Sequence, residues 1–343
     1  MKKNLFLGLD IGGAHVKAVG VDESQKVCFI FYEKCPVWES FFLLKQTLEK
    51  LLKKLGTNKT IFGITITAEL SDCFKNRKYG AKQIFKLCLD LDIDFYFFSS
   101  KTQNFRKKIN YNDICSMNWL ATGKYLEDKI KEGVIIDFGS TTTDLVVIKN
   151  KKIINKYFTD FERINNFELI YTGLTRTPLF ALAEKIVLGN NSYNLIPEYF
   201  SSTADLYRVN NTLKKNLDLY DTSDKGSKTQ LSSLRRISRN FGVDLEKKNI
   251  VLMNELVKSL IKIQKKFIFS SLNKLIKINN INSELPLILC GIGQDIIEQS
   301  AKDFGYDTIK FSSFLKGNMT KRYHASMHAP AVACACLISK FSC

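Results

Sequence analysis

The sequence lacks several patterns that would assign it to a familiar class. No apolar run approaches the roughly eighteen residues that a membrane-spanning helix needs, so we expect no membrane partner. None of the nine cysteines forms a CxxC pair, which favours reduced, buried thiols over a disulfide framework. The start Met1-Lys2-Lys3 resembles a secretory signal, but Asp10 interrupts the apolar stretch that follows too soon. We therefore expect a cytoplasmic protein.

The common nucleotide-binding fingerprints are also absent. The chain contains no GxxxxGK[ST] motif, and its late Gly291-Ile292-Gly293 turn has Ile296 where a dinucleotide fingerprint has a third glycine. Neither a P-loop nor a Rossmann site is predicted. The same turn still joins an apolar strand to a helix start, an arrangement that brings backbone amides towards an anion or a nucleotide.

Acidic residues are scarce beside basic ones. The chain has 51 lysines and arginines against 34 aspartates and glutamates, for a net charge of +17. A clustered basic face would indicate nucleic-acid binding, but the lysines are spread from Lys45 to Lys277 and mostly occupy the polar faces of predicted helices. We therefore expect a solvated surface and no nucleic-acid partner, with a positive field that favours small anionic substrates.

One informative stretch is an acidic hairpin. The apolar residues 134–136 lead into Asp137-Phe-Gly139-Ser-Thr-Thr-Thr-Asp144, and a second apolar run follows. Interpreted as strand, tight turn and strand, this second hairpin (residues 137–144) places two carboxylates and four hydroxyls around one glycine. No bulky side chain blocks its backbone amides from an oxyanion, so it predicts a phosphate-binding loop. The alternative is an ordinary turn whose carboxylates cap local amides.

A similar hairpin begins the chain. Residues 5–9 are largely apolar and precede Asp10-Ile-Gly12-Gly13-Ala-His15-Val-Lys17, which we call the first hairpin. Its recurrence more than a hundred residues later indicates an internal duplication. Third strands are predicted at residues 27–32 and 152–158. We expect a first lobe over residues 1–132 and a second over 133–343, with a helical insertion at about 160–285.

Three further features suggest a site. Glu69 follows the buried strand predicted at residues 61–67, at the strand end where open α/β sheets place ligands, although it could equally cap a helix. A helix predicted at residues 198–210 puts Asp205 and Arg208 on one face, where an ordinary ion pair is the alternative. The polar residues 221–229 are a lid candidate.

Together these features resemble the actin, sugar kinase and Hsp70 superfamily, whose α/β, ribonuclease H-like duplicated fold closes two lobes around a phosphate-bearing ligand. More narrowly, the chain resembles the hydantoinase/oxoprolinase-related proteins of tetrahydromethanopterin- and methanofuran-linked one-carbon metabolism. The motifs that carry this narrower resemblance extend over the first two thirds of the chain, at residues 10–17, 65–70, 118–122, 137–144, 175–178 and 204–208.

The resemblance implies a transferase. In that family a tyramine- or tyrosine-derived phenol displaces diphosphate from an aminomethylfuran-methyl diphosphate, which forms an aryl ether. We expect this reaction to use Mg²⁺ and not to require ATP. Implied catalytic residues are Asp10, His15, Glu69, Asp144 and Asp205, with Mg²⁺ held by Asp10 and Asp137. Implied substrate-binding residues are Gly12, Gly13, Lys17, Gly139, Ser140, Thr141, Thr142, Arg176, Arg208, Gly291 and Gly293.

Two other functions remain open at this point. One is an ATP-dependent enzyme, either a small-molecule kinase or a hydrolase of the oxoprolinase type. The other is a nucleotide-dependent scaffold that uses the closure of its lobes to control a partner. His15 could make only a structural hydrogen bond, and Trp119 is predicted to lie in the core.

Overall fold

The computed structural model describes residues 4–56, 59–282 and 284–341. Met1–Lys3 and Cys343, which entered the predictions above, lie outside these ranges. The described residues form fourteen strands and ten α-helices. The strands are β1 Leu5–Ile11, β2 His15–Val21, β3 Val27–Lys34, β4 Thr60–Ile66, β5 Asp94–Ser99, β6 Asn104–Arg106, β7 Gly133–Phe138, β8 Thr143–Lys149, β9 Lys152–Ile153, β10 Leu169–Ile170, β11 Lys185–Leu188, β12 Asn191–Asn194, β13 Leu287–Cys290 and β14 Thr308–Lys310. The helices are α1 Phe41–Leu55, α2 Arg77–Asp90, α3 Asn118–Glu127, α4 Asp160–Asn165, α5 Thr203–Val209, α6 Gln230–Asn240, α7 Ile250–Ile278, α8 Gln294–Asp303, α9 Met319–Ser326 and α10 Ala329–Phe341.

The first sheet has the order β3-β2-β1-β4-β5-β6. Strands β1, β2 and β3 form an antiparallel meander, and β4 and β5 continue parallel to β1. Parallel strands need cover on both faces. Helices α1 and α2 contribute to the core on one face, and α10 packs on the other. Gly8 permits the approach of α10, because a Cβ atom there would lie 1.7 Å from the Ala331 carbonyl oxygen.

The second sheet repeats this plan. Its order is β10-β8-β7-β13-β14, with β9 paired to β8 and with β13 parallel to both β7 and β14. The long helix α7 supplies much of its core. The duplicated, two-lobed α/β fold predicted from the sequence is therefore confirmed.

Several predicted elements differ in extent. The third strand of the second half is only Lys152–Ile153, because Asn155 leaves the ladder and bonds the β8 backbone through its side chain. The helix predicted at residues 198–210 spans only Thr203–Val209. None of the described helices is long and apolar enough to cross a membrane. All eight cysteines in the described ranges are free thiols.

Candidate active site

A cleft of about 490 Å³ lies between the two lobes. Both hairpin loops line it, because β1 and β7 end at corresponding edges of their sheets. The two turns close in the same way: Gly12 donates its N–H to the His15 carbonyl, and Gly139 donates to the Thr142 carbonyl, each at 2.9 Å. A Cβ atom on Gly12 would lie 2.9 Å from the oxygen it bonds, so this turn requires glycine.

The hairpins differ at their paired charged positions. Asp10 faces Lys17 across the first hairpin, and Asp137 faces Asp144 across the second. Lys17 Nζ donates to Asp10 Oδ2 at 2.9 Å, and although burial opposes it, the Asp10 carboxylate raises the pKa of Lys17. In the first lobe the carboxylate is therefore neutralised by its cross-strand partner.

Asp137 has no such partner. Its carboxylate makes no hydrogen bond or ion pair with any residue that the structure describes. Burial, followed by the nearby Asp144 carboxylate, raises the pKa of Asp137 to about 7. Asp144 itself accepts a hydrogen bond from Arg163 Nη1 at 2.7 Å, and Arg163 also lies 3.7 Å from Glu168. Asp137 is thus a cleft carboxylate available to a ligand.

His15 stands at the junction of the lobes. Its Nδ1 lies 3.4 Å from Ser140 Oγ of the second hairpin, and its ring stacks on Tyr32 and meets the edge of Tyr220. Burial, together with Lys17 and Arg176, lowers the pKa of His15 well below its ordinary value of 6.5. His15 is therefore a neutral imidazole at physiological pH.

Arg176 is brought to the cleft by the loop that follows β10. The N–H groups of Thr175 and Arg176 both donate to the Ser140 carbonyl at 3.1 Å. Gly173 allows this contact, since a Cβ atom there would lie 2.4 Å from the Ser140 carbonyl carbon. Arg176 Nη1 then reaches Thr141 Oγ1 at 3.3 Å. No carboxylate of the described residues pairs with this guanidinium.

The structure brings most of the predicted site residues to the cleft wall. The lining includes Gly12, Gly13, His15, Lys17, Asp137, Gly139, Ser140, Thr141, Thr142, Asp144 and Arg176. Asp10 lies immediately behind Lys17. Their roles in binding and catalysis stay predictions.

Glu69 lies behind the wall. It is buried, and its Oε1 accepts a hydrogen bond from Ser116 Oγ at 3.0 Å, while Ser116 itself lines the cleft. Arg77 bonds the same Ser116 hydroxyl, and Glu69 Oε2 has no partner among the described residues. Burial, only partly offset by Arg77, raises the pKa of Glu69. It can therefore act on the cleft only through Ser116.

Asp205 and Arg208 are a correction to the predicted site, because they lie outside the cleft. Asp205 is buried and accepts hydrogen bonds from Arg208 and Arg236, each at 2.8 Å. Arg208 also binds Asp218, through two nitrogens at 2.6 and 2.7 Å. These charges therefore pair with one another away from the cleft.

Gly291 and Gly293 also fall outside the cleft lining. Gly291 has a φ of 84°, and a Cβ atom there would lie 2.4 Å from Asp137 Oδ1. A Cβ atom on Gly293 would lie 2.1 Å from the Phe138 ring. Both glycines therefore allow the β13 turn to pack beneath the second hairpin, rather than presenting amides to the cleft.

Several cleft residues were missed from the sequence. Trp38, Tyr171 and Asp160 line the cleft, and none belongs to a motif that points to a ligand. Trp38 lies four residues after the end of β3, and Tyr171 comes directly after β10, so the position of each residue shortly after a strand was the signal available in the sequence. Trp119, in contrast, is 1% exposed and belongs to the core as predicted, stacked on Arg163.

Sequence comparisons agree with this architecture. A family model for hydantoinase/oxoprolinase matches residues 62–340. A Methanocaldococcus jannaschii protein named (4-{4-[2-(gamma-L-glutamylamino)ethyl]phenoxymethyl}furan-2-yl)methanamine synthase is 32% identical over 98% of both chains. A Methanococcus vannielii protein of the same name is 31% identical over 50% of this chain and 76% of its own.

Structural likeness extends to more distant proteins. A nucleotide-free structure of acetone carboxylase matches with a TM-score of 0.60 at 11% identity, over 97% of this chain and 70% of that one. The ethanolamine utilization protein EutJ from Carboxydothermus hydrogenoformans matches with a TM-score of 0.50 at 12% identity, over 97% and 89%. At these identities the likeness concerns the fold alone, and it confirms the predicted actin-like architecture.

Proposed function

This chain belongs to the hydantoinase/oxoprolinase family, and on that premise we propose that it is a transferase of methanofuran biosynthesis. It joins the phenol of a glutamyl-tyramine, or of a related tyrosine derivative, to an aminomethylfuran-methyl diphosphate and releases diphosphate. The observation that carries the proposal is the 32% identity, over 98% of both chains, to a synthase named for a phenoxymethylfuran product. A cleft with two glycine hairpins and an unpaired arginine supports it.

Departure of the diphosphate is the step that most needs the protein. The furylmethyl carbon gains positive charge as its C–O bond breaks, while negative charge builds on the diphosphate. Donors aimed at that developing charge lower the barrier. We assign this role to the backbone amides that follow Gly12 and Gly139 in the two hairpin turns, together with Lys17 and Arg176, which line the same cleft. The N–H groups of the two glycines themselves close the turns.

The cleft carboxylates also fit a magnesium ion. Mg²⁺ is usually held by one or two carboxylates plus substrate phosphates and water, so the lack of a three-residue cluster of metal-ligating side chains among the described residues is consistent with it. Asp137 fits as a ligand because its carboxylate is unpaired. Asp10 fits less well, since Lys17 occupies its Oδ2 atom. Asp137 would hold the ion, and Mg²⁺ would supply positive charge that stabilises the leaving group.

The phenol must lose a proton as it attacks. Of the predicted acid–base residues, only His15 and Asp144 line the cleft directly, and Asp144 is committed to Arg163. We therefore assign proton acceptance to His15, whose lowered pKa leaves its imidazole neutral. General bases must lie within hydrogen-bond reach of the proton they take, and the position of His15 at the lobe junction allows this.

The cleft also has apolar and aromatic side chains that suit the ring-bearing parts of both substrates. Leu70 of the first lobe and Tyr171 of the second are 42% and 58% exposed, and both line it. Asp160 lies beside Tyr171 and makes no hydrogen bond or ion pair through its carboxylate in the described part of the chain. We assign the aryl rings to Leu70 and Tyr171, and the primary ammonium of the furan to Asp160.

The experiment is a coupled product assay. Purified protein is incubated with Mg²⁺, the furan diphosphate and the phenol, and both the ether and released diphosphate are quantified. The proposal predicts equal amounts of both without ATP. Formation of no ether, together with ATP turnover, would replace it with an ATP-dependent activity. A matched comparison is Tyr171→Ala against Tyr79→Ala, since Tyr79 is exposed on α2 and does not line the cleft; only the first change should raise KM for the phenol or the furan.

A further inference from the structure

The guanidinium of Arg176 lies against two aromatic rings, one from each lobe. Its central carbon lies 4.4 Å from the centre of the Trp38 ring and 5.1 Å from that of Tyr220. Trp38 and Tyr220 are themselves stacked, with centroids 5.8 Å apart and planes inclined by 22°. Arginine is attracted to aromatic faces within about 6 Å. We call these three residues the arginine clamp.

The clamp leaves the arginine available to an anion. Aromatic faces stabilise the cation without using its N–H donors, and a guanidinium has five of them. One contact is made, from Nη1 to Thr141 Oγ1 at 3.3 Å in the second hairpin. Arg163 also lines the cleft, but its guanidinium is already paired with the carboxylates of Asp144 and Glu168. Arg176 is therefore oriented by groups that do not compete with a phosphate.

The clamp is assembled from both lobes. Trp38 belongs to the loop that follows β3 in the first sheet, whereas Arg176 and Tyr220 belong to the second half of the chain. Other contacts cross the same junction: the Tyr220 hydroxyl donates to the Ala14 carbonyl in the first hairpin, and Lys34 lies 3.0 Å from Asp221. The guanidinium can meet both rings only when these two segments are together.

We propose that Trp38 and Tyr220 are positioning residues, which hold Arg176 as the binding group for a diphosphate. The inference rests on the proposed function for the identity of the leaving group. The chemistry of the site is more general: a fixed, unpaired guanidinium beside two glycine hairpins suits any phosphate-bearing anion.

The test measures binding of inorganic diphosphate by titration calorimetry, with Mg²⁺ and at fixed salt, to the full-length protein. Arg176→Ala removes a charge-assisted contact and should weaken binding by about 10- to 100-fold. Trp38→Ala should weaken it by roughly 2- to 30-fold, the range expected for losing one cation–π contact. Trp38→Phe keeps an aromatic face and should restore most of the affinity.

A matched control is Tyr79→Ala, because Tyr79 also forms a cation–π pair, with Lys75 at 4.9 Å, but lies outside the cleft. It should leave the diphosphate affinity unchanged.

Three results would contradict the arginine clamp. The first is a wild type that binds no diphosphate at millimolar concentration, and the second is that Trp38→Ala and Arg176→Ala both bind it as tightly as the wild type does. The third is a Trp38→Phe variant that has a normal melting temperature but does not recover the affinity. Should Trp38→Ala fail to fold, Trp38→Phe compared with Trp38→Leu gives the same test. The diphosphate titration uses neither the furan nor the phenol, so it is independent of the coupling reaction. If diphosphate binding depends on Trp38 and Arg176 as expected but no ether forms in the product assay, the transferase proposal is refuted and the arginine clamp is not.

Discussion

Replacing Asp137 with asparagine should remove activity while making the protein more stable at neutral and alkaline pH. Asparagine has nearly the same shape as aspartate but cannot ionise. Asp137 carries an electrostatic penalty in the native state, because it is half-buried in the cleft wall and faces the Asp144 carboxylate across the hairpin. A ligand-binding group held in an unfavourable state for folding is typical of functional sites.

The size of the effect follows from the pKa. Burial and Asp144 raise the pKa of Asp137 from its ordinary value of 3.8 to about 7. A carboxyl with a raised native pKa contributes stability below its unfolded pKa and loses that contribution as the pH rises through its native value. Asp137→Asn should therefore match the wild type near pH 4 and exceed it by about 2 to 4 kcal/mol above pH 7. For a chain of this size, that corresponds to about 3 to 6 °C in Tm.

The assay is a set of thermal and urea denaturation curves from pH 4 to 8.5, with turnover measured on the same preparations. Asp244→Asn, on an exposed loop, is the control and should change neither quantity. Added Mg²⁺ should stabilise the wild type more than Asp137→Asn if the carboxylate is a ligand. A variant that is less stable than wild type above pH 7, or one that keeps full turnover, would refute the account of this residue.

Three further changes have distinct outcomes. Asp205→Ala leaves buried arginines without their carboxylate and should destabilise the protein by about 3 to 5 kcal/mol, while turnover per folded molecule, measured well below Tm, stays normal; a fall in turnover without a fall in Tm would return Asp205 to the active site. Gly173→Ala should lower turnover by displacing the loop that carries Arg176, whereas Gly189→Ala, in an open turn, should affect only local stability; equal turnover in the two variants would show that the contact is dispensable. His328 is buried and its pKa is lowered to about 3, so its contribution to stability is present above pH 6.5 and is lost as the pH falls towards 3. His328→Phe should therefore make the free energy of unfolding depend less on pH between 3 and 6.5. An unchanged pH dependence in this interval would contradict the assignment.

Local sequence patterns predicted the parts of this protein that depend on neighbouring residues. The two hairpins are closed by short turns whose glycines and carboxylates lie within a few positions, and α7 shows its apolar periodicity over its whole length. The duplication could be predicted because each hairpin is a short, continuous motif that recurs in the second half of the chain. Strand Lys152–Ile153 ended earlier than predicted, because the side chain of Asn155 replaces the ladder that a longer strand would have formed.

The errors and omissions involve distant residues. Asp205 and Arg208 looked like an exposed pair or a ligand site, since no local pattern reveals that Arg236 binds the same carboxylate from α6. Trp38 was overlooked because its partner Arg176 comes from the other lobe. Gly291 and Gly293, in the turn after β13, matched the local pattern of an anion-binding site. The structure shows instead that glycine is needed there because the turn packs closely beneath the second hairpin.

The central claim, that a phenol displaces diphosphate at the furylmethyl carbon, is tested most directly by labelling. The phenol is supplied with ¹⁸O in its hydroxyl group, and the ether and phosphate products are analysed by mass spectrometry after a reaction with Mg²⁺ and without ATP. The account predicts that the label stays in the ether and that one unlabelled diphosphate forms for each ether. Label in a phosphate product, or an ether that forms only when ATP is hydrolysed, would contradict it.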